Sequence, residues 1–145
     1  MDLEILYPLV TEAIRRAEVL EDLHAPGARD AWRDVSRLEE RIARILPASD
    51  PEGAIARRGA VRAAITGGEC ERAFDLVTRF NAEGDVSVTL VAELEALRQR
   101  TTVLSREQTG VLRSRYPGAF ARHGEVAIQQ FVLAYHQQGA PLPIR

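Results

Sequence analysis

Apolar residues recur at every third or fourth position along most of the chain, as they do from Ala31 to Ile45. No segment of useful length alternates apolar and polar residues at every second position. The first spacing places side chains on one face of an α-helix, whereas strict alternation is typical of a β-strand. The pattern therefore predicts an all-α protein of six or seven helices.

Turn and capping signals divide this pattern into segments. Ser49-Asp50-Pro51-Glu52, for example, combines a capping side chain, a proline suited to the first helical turn and an early acid. The expected helices run from Leu3 or Pro8 to Asp22, from Arg29 to Leu46, from Pro51 to Thr66, from Glu69 to Asn81, from Val86 to Arg100, from Ser105 to about Tyr116 and from Ala119 to Gln138. In the first helix, the residues predicted to face the core are Leu6, Leu9, Val10, Ala13, Ala17 and Leu20.

The spacing of the predicted helices is compatible with two arrangements. Helix starts near Pro51, Val86 and Ala119 are about 34 residues apart, which is the period of tetratricopeptide-type helical hairpins. The residue pattern of that repeat does not follow. The sequence therefore leaves open an antiparallel bundle and a short stack of helical hairpins. In either case we expect residues 1–138 to form a single compact helical domain, followed by a short proline-containing tail at 139–145.

The composition is that of a globular domain, and it excludes several kinds of chemistry. Of the 145 residues, 46% are hydrophobic and 28% are charged, and the net charge is −2. This balance argues against a domain that binds nucleic acid over its whole surface. All 19 basic residues are arginine, which a GC-rich genome explains most simply. The absence of lysine excludes a Schiff base, a lysine general base and the lysine of a phosphate-binding loop.

The sequence shows no pattern typical of a metal site or a cofactor site. The single cysteine, Cys70, excludes an internal disulfide and is expected to be a buried apolar residue. His24, His123 and His136 lack the three- or four-residue spacing of a helical metal site. The N-terminus does not resemble a signal peptide, and no apolar run approaches the ~20 residues of a membrane helix. We therefore expect a cytoplasmic protein without metal, cofactor or membrane partner.

The segment Ala54–Gly68 carries three arginines beside a run of small residues. On a helical wheel with about 100° per residue, one face consists of small residues, namely Ala56, Gly59, Ala60, Ala63 and Ala64. Larger apolar residues lie opposite, so this helix is expected to pack against neighbours on two sides. Arg57, Arg58 and Arg62 emerge where the two faces meet, which makes them candidate partner-binding residues.

Two interpretations of these arginines differ in what they bind. Arg58 and Arg62 are one turn apart, so they are placed to clamp a carboxylate or a phosphate of a partner. Alternatively, they pair with acids of neighbouring helices, such as Glu39, Glu40 or Glu69. The second interpretation gives them a structural role.

A second candidate contact region surrounds the predicted turn near Pro117, with Arg115, Tyr116 and Arg122 as its residues. Arginine mixed with aromatic residues is typical of nucleic-acid contacts, although these aromatics can also fill a core. No catalytic constellation is present, so the favoured function is a non-enzymatic protein–protein interaction module. Such a module is an adaptor, a scaffold or a small subunit whose partner is another protein or a second copy. The alternatives are a helical domain that senses a ligand or cofactor, and an accessory nucleic-acid-contacting subunit of a ribonucleoprotein complex.

Overall fold

The computed structural model describes residues 2–115, with the backbone alone described for residues 103–115. Within this range the chain forms five α-helices and no strand, as the apolar pattern predicts. The helices are α1 (Leu3–Asp22), α2 (Ala28–Ile45), α3 (Pro51–Thr66), α4 (Cys70–Asn81) and α5 (Val88–Arg115). The predicted helix at 119–138 and the tail at 139–145 lie outside the described residues. The described residues therefore do not test the expected total of six or seven helices.

Side-chain caps fix the starts of three helices. Asp2, Asp50 and Ser87 accept hydrogen bonds from backbone N–H groups in the first turns of α1, α3 and α5. These N–H groups have no partner within the helix, so each cap stabilises the first turn. The cap by Asp2 places the start of α1 at Leu3 rather than at Pro8, and Pro8 therefore lies inside the helix.

α5 is longer than the sequence pattern predicts. The expected break between Arg100 and Ser105 is absent, and the predicted short helix from Ser105 is a continuation of α5 as far as Arg115. This prediction is wrong because a capping pattern alone does not end a helix. No proline or glycine interrupts residues 88–109. Thr101 and Thr102, which lie in the expected break, have their hydroxyls hydrogen-bonded to backbone carbonyls one turn earlier, so both are accommodated inside the helix.

α3 is the central helix of the described part. It packs against α2, α4 and α5, whereas α1 packs against α2. Its small side chains allow close approach of the neighbouring helices. Both of its apolar faces are buried, with Ala56, Ala60, Val61, Ala63, Ala64 and Ile65 enclosed. The prediction of a helix packed on two sides is therefore confirmed.

The main hydrophobic core draws residues from all five helices. Its largest fully buried side chains are aliphatic, namely Leu6, Leu76, Leu90, Leu94, Val61 and Val77. This agrees with the low aromatic content of 6%. Over the described range, no helix combines the length and the apolar character needed to cross a membrane.

Candidate functional site

Arg57 is buried inside the protein, with 3% of its surface exposed. Its guanidinium donates hydrogen bonds to the carbonyls of Ala43 and Leu46 at the end of α2 and to one carbonyl of its own helix. It also forms a two-point ion pair with Glu83, at 2.7 and 3.2 Å, and lies 5.5 Å from the centre of the Phe80 ring. Arg57 therefore satisfies the last carbonyls of α2, and in this position it presents no charge to a partner.

Arg58 and Arg62, the other two predicted contact residues of α3, lie nearer the surface. Arg58 pairs with Glu93 of α5, with 2.5 Å between its Nη1 and the carboxylate Oε2. An acid of a neighbouring helix is the kind of partner that the structural interpretation expects, although Glu93 is not one of the three acids given as examples. Arg62 is exposed, and among the described side chains no acid forms an ion pair with it. Of the three arginines, Arg62 alone is exposed without an acidic partner among the described side chains, whereas Arg57 is enclosed and the charge of Arg58 is neutralised by Glu93.

Two consecutive glutamates of α2 are buried, and the first to consider is Glu40. Arg72 and Arg79 of α4 donate hydrogen bonds to it at 3.4 and 2.7 Å, and Arg44 lies 3.5 Å away. Burial by itself would raise the pKa of Glu40. The hydrogen bond from Arg79 and the charges of the three arginines outweigh burial, and they hold the pKa below its ordinary value. Glu40 is therefore an ionised carboxylate whose charge is balanced.

Glu39 lies one residue earlier, and no described arginine neutralises its carboxylate in this way. It is only 9% exposed, and no side chain among residues 2–102 donates a hydrogen bond to its carboxylate or forms an ion pair with it. Burial raises the pKa of Glu39 from an ordinary 4.5 to about 7, because removal from water disfavours the charged form. Gly59 of α3 provides the space for this carboxylate, since a Cβ at Gly59 would lie 2.8 Å from its Oε1.

The Glu39 side chain lines a groove of about 390 Å³ between α1 and α3. Both of these helices pack on α2 rather than closely on each other, so the groove opens between them above α2. Apart from Glu39, the charged residues along it are Glu18, Arg58 and Arg62. The remaining lining is mostly apolar, and it includes Trp32, the single tryptophan of the chain. We refer to this feature as the Glu39 groove.

α1 presents a regular line of exposed residues on the side away from the groove. The residues follow alternating steps of four and three positions, which is the spacing of a coiled-coil seam, and they are Ile5, Leu9, Glu12, Arg16, Val19 and Leu23. We refer to these six residues as the α1 seam. Its four apolar members are between 43% and 70% exposed. The groove residues Ile14 and Glu18 lie about 160° around the helix from this line, so the two surfaces are separate.

The α1 seam is not among the sites predicted from the sequence, whereas the Glu39 groove includes two predicted contact residues, Arg58 and Arg62, but not Glu39 itself as a binding residue. Leu9 is predicted to face the core together with Leu6 and Val10; those two are buried, but Leu9 is exposed at the surface. The four-and-three spacing that begins at Ile5 is present in the sequence, so the α1 seam could have been found there. Glu39 carries no comparable local signal, because its lack of a partner depends on where other helices place their arginines.

The other sequence-predicted sites are placed only in part. Arg115 is the last residue of α5, with its backbone alone described, and Tyr116 and Arg122 lie outside the described residues. No cluster of three or more His, Cys, Asp or Glu within the described range is suited to hold a metal ion. Cys70 is buried as expected, and burial raises the pKa of its thiol, so the thiol stays protonated.

The chain was also compared with known proteins. No protein-family model matches it, and no curated protein and no solved structure is significantly similar to it. Its functional assignment therefore depends on the two surfaces that its own residues form, the α1 seam and the Glu39 groove.

Proposed function

We propose that the protein is a non-enzymatic interaction module that pairs with a second copy of itself through the α1 seam. Four large apolar side chains are exposed along one face, three of them on α1 and the fourth, Leu23, on the residue that directly follows it. Single exposed apolar residues are common on protein surfaces, but two apolar pairs in line on one helix face, with Glu12 and Arg16 between them, are typical of a contact surface. A cytoplasmic location belongs to the same proposal, because a reducing compartment suits a single buried cysteine.

The order of residues along the seam carries the proposal. The steps between them are the same when they are read from either end, so two copies of α1 can pack antiparallel about a two-fold axis. In this register the facing residues are Ile5 and Leu23, Leu9 and Val19, and Glu12 and Arg16, and each pair occurs twice. Apolar side chains then face apolar side chains, and Arg16 of each copy faces Glu12 of the other, which Arg15 of its own helix also contacts.

The charges also select between the two possible orientations. In a parallel pair, Glu12 would face Glu12 and Arg16 would face Arg16, which places like charges together twice. Opposite charges across such a seam stabilise the contact and like charges destabilise it. The seam is about 27 Å long, so the buried area is near the lower end for a specific interface. We therefore expect a reversible antiparallel dimer with a Kd of the order of 1–10 μM.

Sedimentation equilibrium of the full chain tests this proposal over concentrations from about 1 to about 200 μM. The apparent mass is expected to rise from 16.1 kDa for one chain towards twice that value. Glu12→Arg or Arg16→Glu alone creates two like-charge pairs in the dimer and should weaken association at least about tenfold. The double variant Glu12→Arg/Arg16→Glu restores opposite charges and should return the Kd to within about threefold of wild type.

Val88→Asp is the matched control, because Val88 is an apolar residue that is 87% exposed on α5, away from the seam. This variant should associate like the wild type. A chain that stays monomeric across the whole concentration range would contradict the proposal. So would a double charge exchange that associates no better than the two single reversals.

A further inference from the structure

The Glu39 groove contains a buried carboxylate whose charge no described residue balances. Glu40, its neighbour in sequence, shows what balance requires, with three arginines within 3.5 Å. A buried charge without a partner is costly, and proteins usually pair it or leave it protonated. Because Glu39 faces the groove, a partner for it can enter from outside the described helices.

We infer that the Glu39 groove binds a small organic amine, with Glu39 accepting a hydrogen bond from the ammonium group. A hydrogen bond between two charged groups is the strongest class available to a carboxylate. Trp32 provides an aromatic surface that favours a cation, and Ile14 and Val35 provide apolar walls for the body of the ligand. The volume of about 390 Å³ lies within the range of small-molecule pockets.

The other charges along the groove narrow the class of amine. Glu18 of α1 contributes a second negative charge, and Arg58 of α3 is neutralised by Glu93. Arg62 of α3 has no acidic partner among the described side chains, so it disfavours a second positive charge in the ligand. The groove therefore prefers a monoamine with an apolar body to a diamine of the same length.

Fluorescence of Trp32 reports binding directly, because it is the single tryptophan and it lines the groove. Phenethylamine is the probe, and 2-phenylethanol, which has the same body without the charge, is the control ligand. At about pH 8 we expect phenethylamine to change the fluorescence saturably and to bind at least about tenfold more tightly than the alcohol. An aliphatic diamine of similar length should bind more weakly than the monoamine.

Two substitutions separate Glu39 from the general charge of the groove. Glu39→Gln keeps the shape of the side chain but removes the charge, and it should weaken phenethylamine binding at least about tenfold. Glu18→Gln removes the exposed second acid of the same groove, so it should weaken binding, but clearly less than Glu39→Gln does. Glu12→Arg, which disrupts the α1 seam, should leave amine binding unchanged, so failure of the dimer and failure of this inference are distinguishable.

The pH profile of the wild-type chain gives a second readout that does not depend on any variant. Glu39 binds the ammonium group only when it is ionised, so the affinity should fall about tenfold between about pH 8 and about pH 6. The inference is overturned if the wild type shows no saturable change up to about 10 mM phenethylamine. It is also overturned if the alcohol or the Glu39→Gln variant matches the wild-type affinity for the amine, or if the affinity is the same at both pH values.

Discussion

Replacing Glu39 by glutamine is expected to change how the stability of the protein varies with pH. Burial raises the pKa of this carboxyl from 4.5 to about 7. Between these values the folded protein keeps a proton that the unfolded chain has already released. The free energy of unfolding therefore falls as the pH rises through this interval, and it levels off above about pH 7. Glutamine has a similar shape and cannot ionise, so the variant lacks this contribution.

The size of the effect follows from the change in proton affinity. Each tenfold change is worth about 1.4 kcal/mol, so a pKa raised from 4.5 to about 7 corresponds to a loss of about 3 kcal/mol when the carboxyl is fully ionised. The groove leaves one side of Glu39 open to water, which reduces the cost of ionisation. We therefore expect a loss of about 2 kcal/mol between about pH 5 and about pH 8.

Chemical denaturation followed by the circular dichroism of the helices measures this loss. The free energy of unfolding is compared between Glu39→Gln and wild type at each pH. The difference should grow by about 2 kcal/mol in favour of the variant between about pH 5 and about pH 8. Subtracting the two proteins removes the contributions of other titrating groups. Glu40 in particular has a pKa below its ordinary value and stays ionised over this range.

A stability difference that stays constant with pH would refute this reasoning. It would mean that Glu39 is already ionised at about pH 5 in the folded protein. The carboxylate would then have a partner or a water environment that balances its charge, and the description of the groove would lose its central feature.

Two further predictions concern residues at contacts between helices. The free energy of unfolding in urea tests both. Arg57→Ala should lower the free energy of unfolding by about 3–5 kcal/mol, because it leaves the final carbonyls of α2 and the Glu83 carboxylate without their donor. Arg57→Lys keeps the charge without the forked donor, so it should recover less than half of this loss. Wild-type stability for the lysine variant would contradict this role of Arg57. Gly53→Ala should cost about 2–4 kcal/mol, because the added Cβ overlaps the carbonyl oxygen of Pro47. Gly84→Ala is its control, because nothing lies within 4 Å of the added Cβ. The free energy of unfolding should change by less than about 0.5 kcal/mol. An equal loss of stability in the two variants would contradict the close packing of Gly53 against Pro47.

The helices that could be predicted from the sequence are those with strong local signals at both ends. α3 begins at Pro51 and ends at Thr66 as predicted, because Asp50 caps its first turn and a double glycine follows its last. The capping pattern at Ser105 is local too, but no residue near it forces the helix to stop. Continuation of α5 past Arg100 is favoured by the absence of proline and glycine from residues 88–109, a criterion that the capping pattern does not include.

The placement of charges could not be predicted, because a helical wheel gives an angle and not a neighbour. Arg57 and Arg58 are adjacent in sequence, yet one is enclosed at the end of α2 and the other pairs with Glu93. Glu39 and Glu40 are turned about 100° apart on α2, so Glu40 meets the arginines of α4 while Glu39 faces the groove. Whether one of these side chains has a partner of opposite charge depends on which helices pack against each other.

Disulfide cross-linking tests the antiparallel pairing of the α1 seam most directly. Leu9 of one copy is expected to face Val19 of the other, at a separation suited to a disulfide when both are cysteine. Under mild oxidation the double variant Leu9→Cys/Val19→Cys should therefore form a covalent dimer in high yield. Leu9→Cys alone and the wild type, whose Cys70 is buried, should stay mainly as single chains. A single Leu9→Cys variant that cross-links as well as the double variant, or a double variant that does not cross-link, would contradict the proposed pairing.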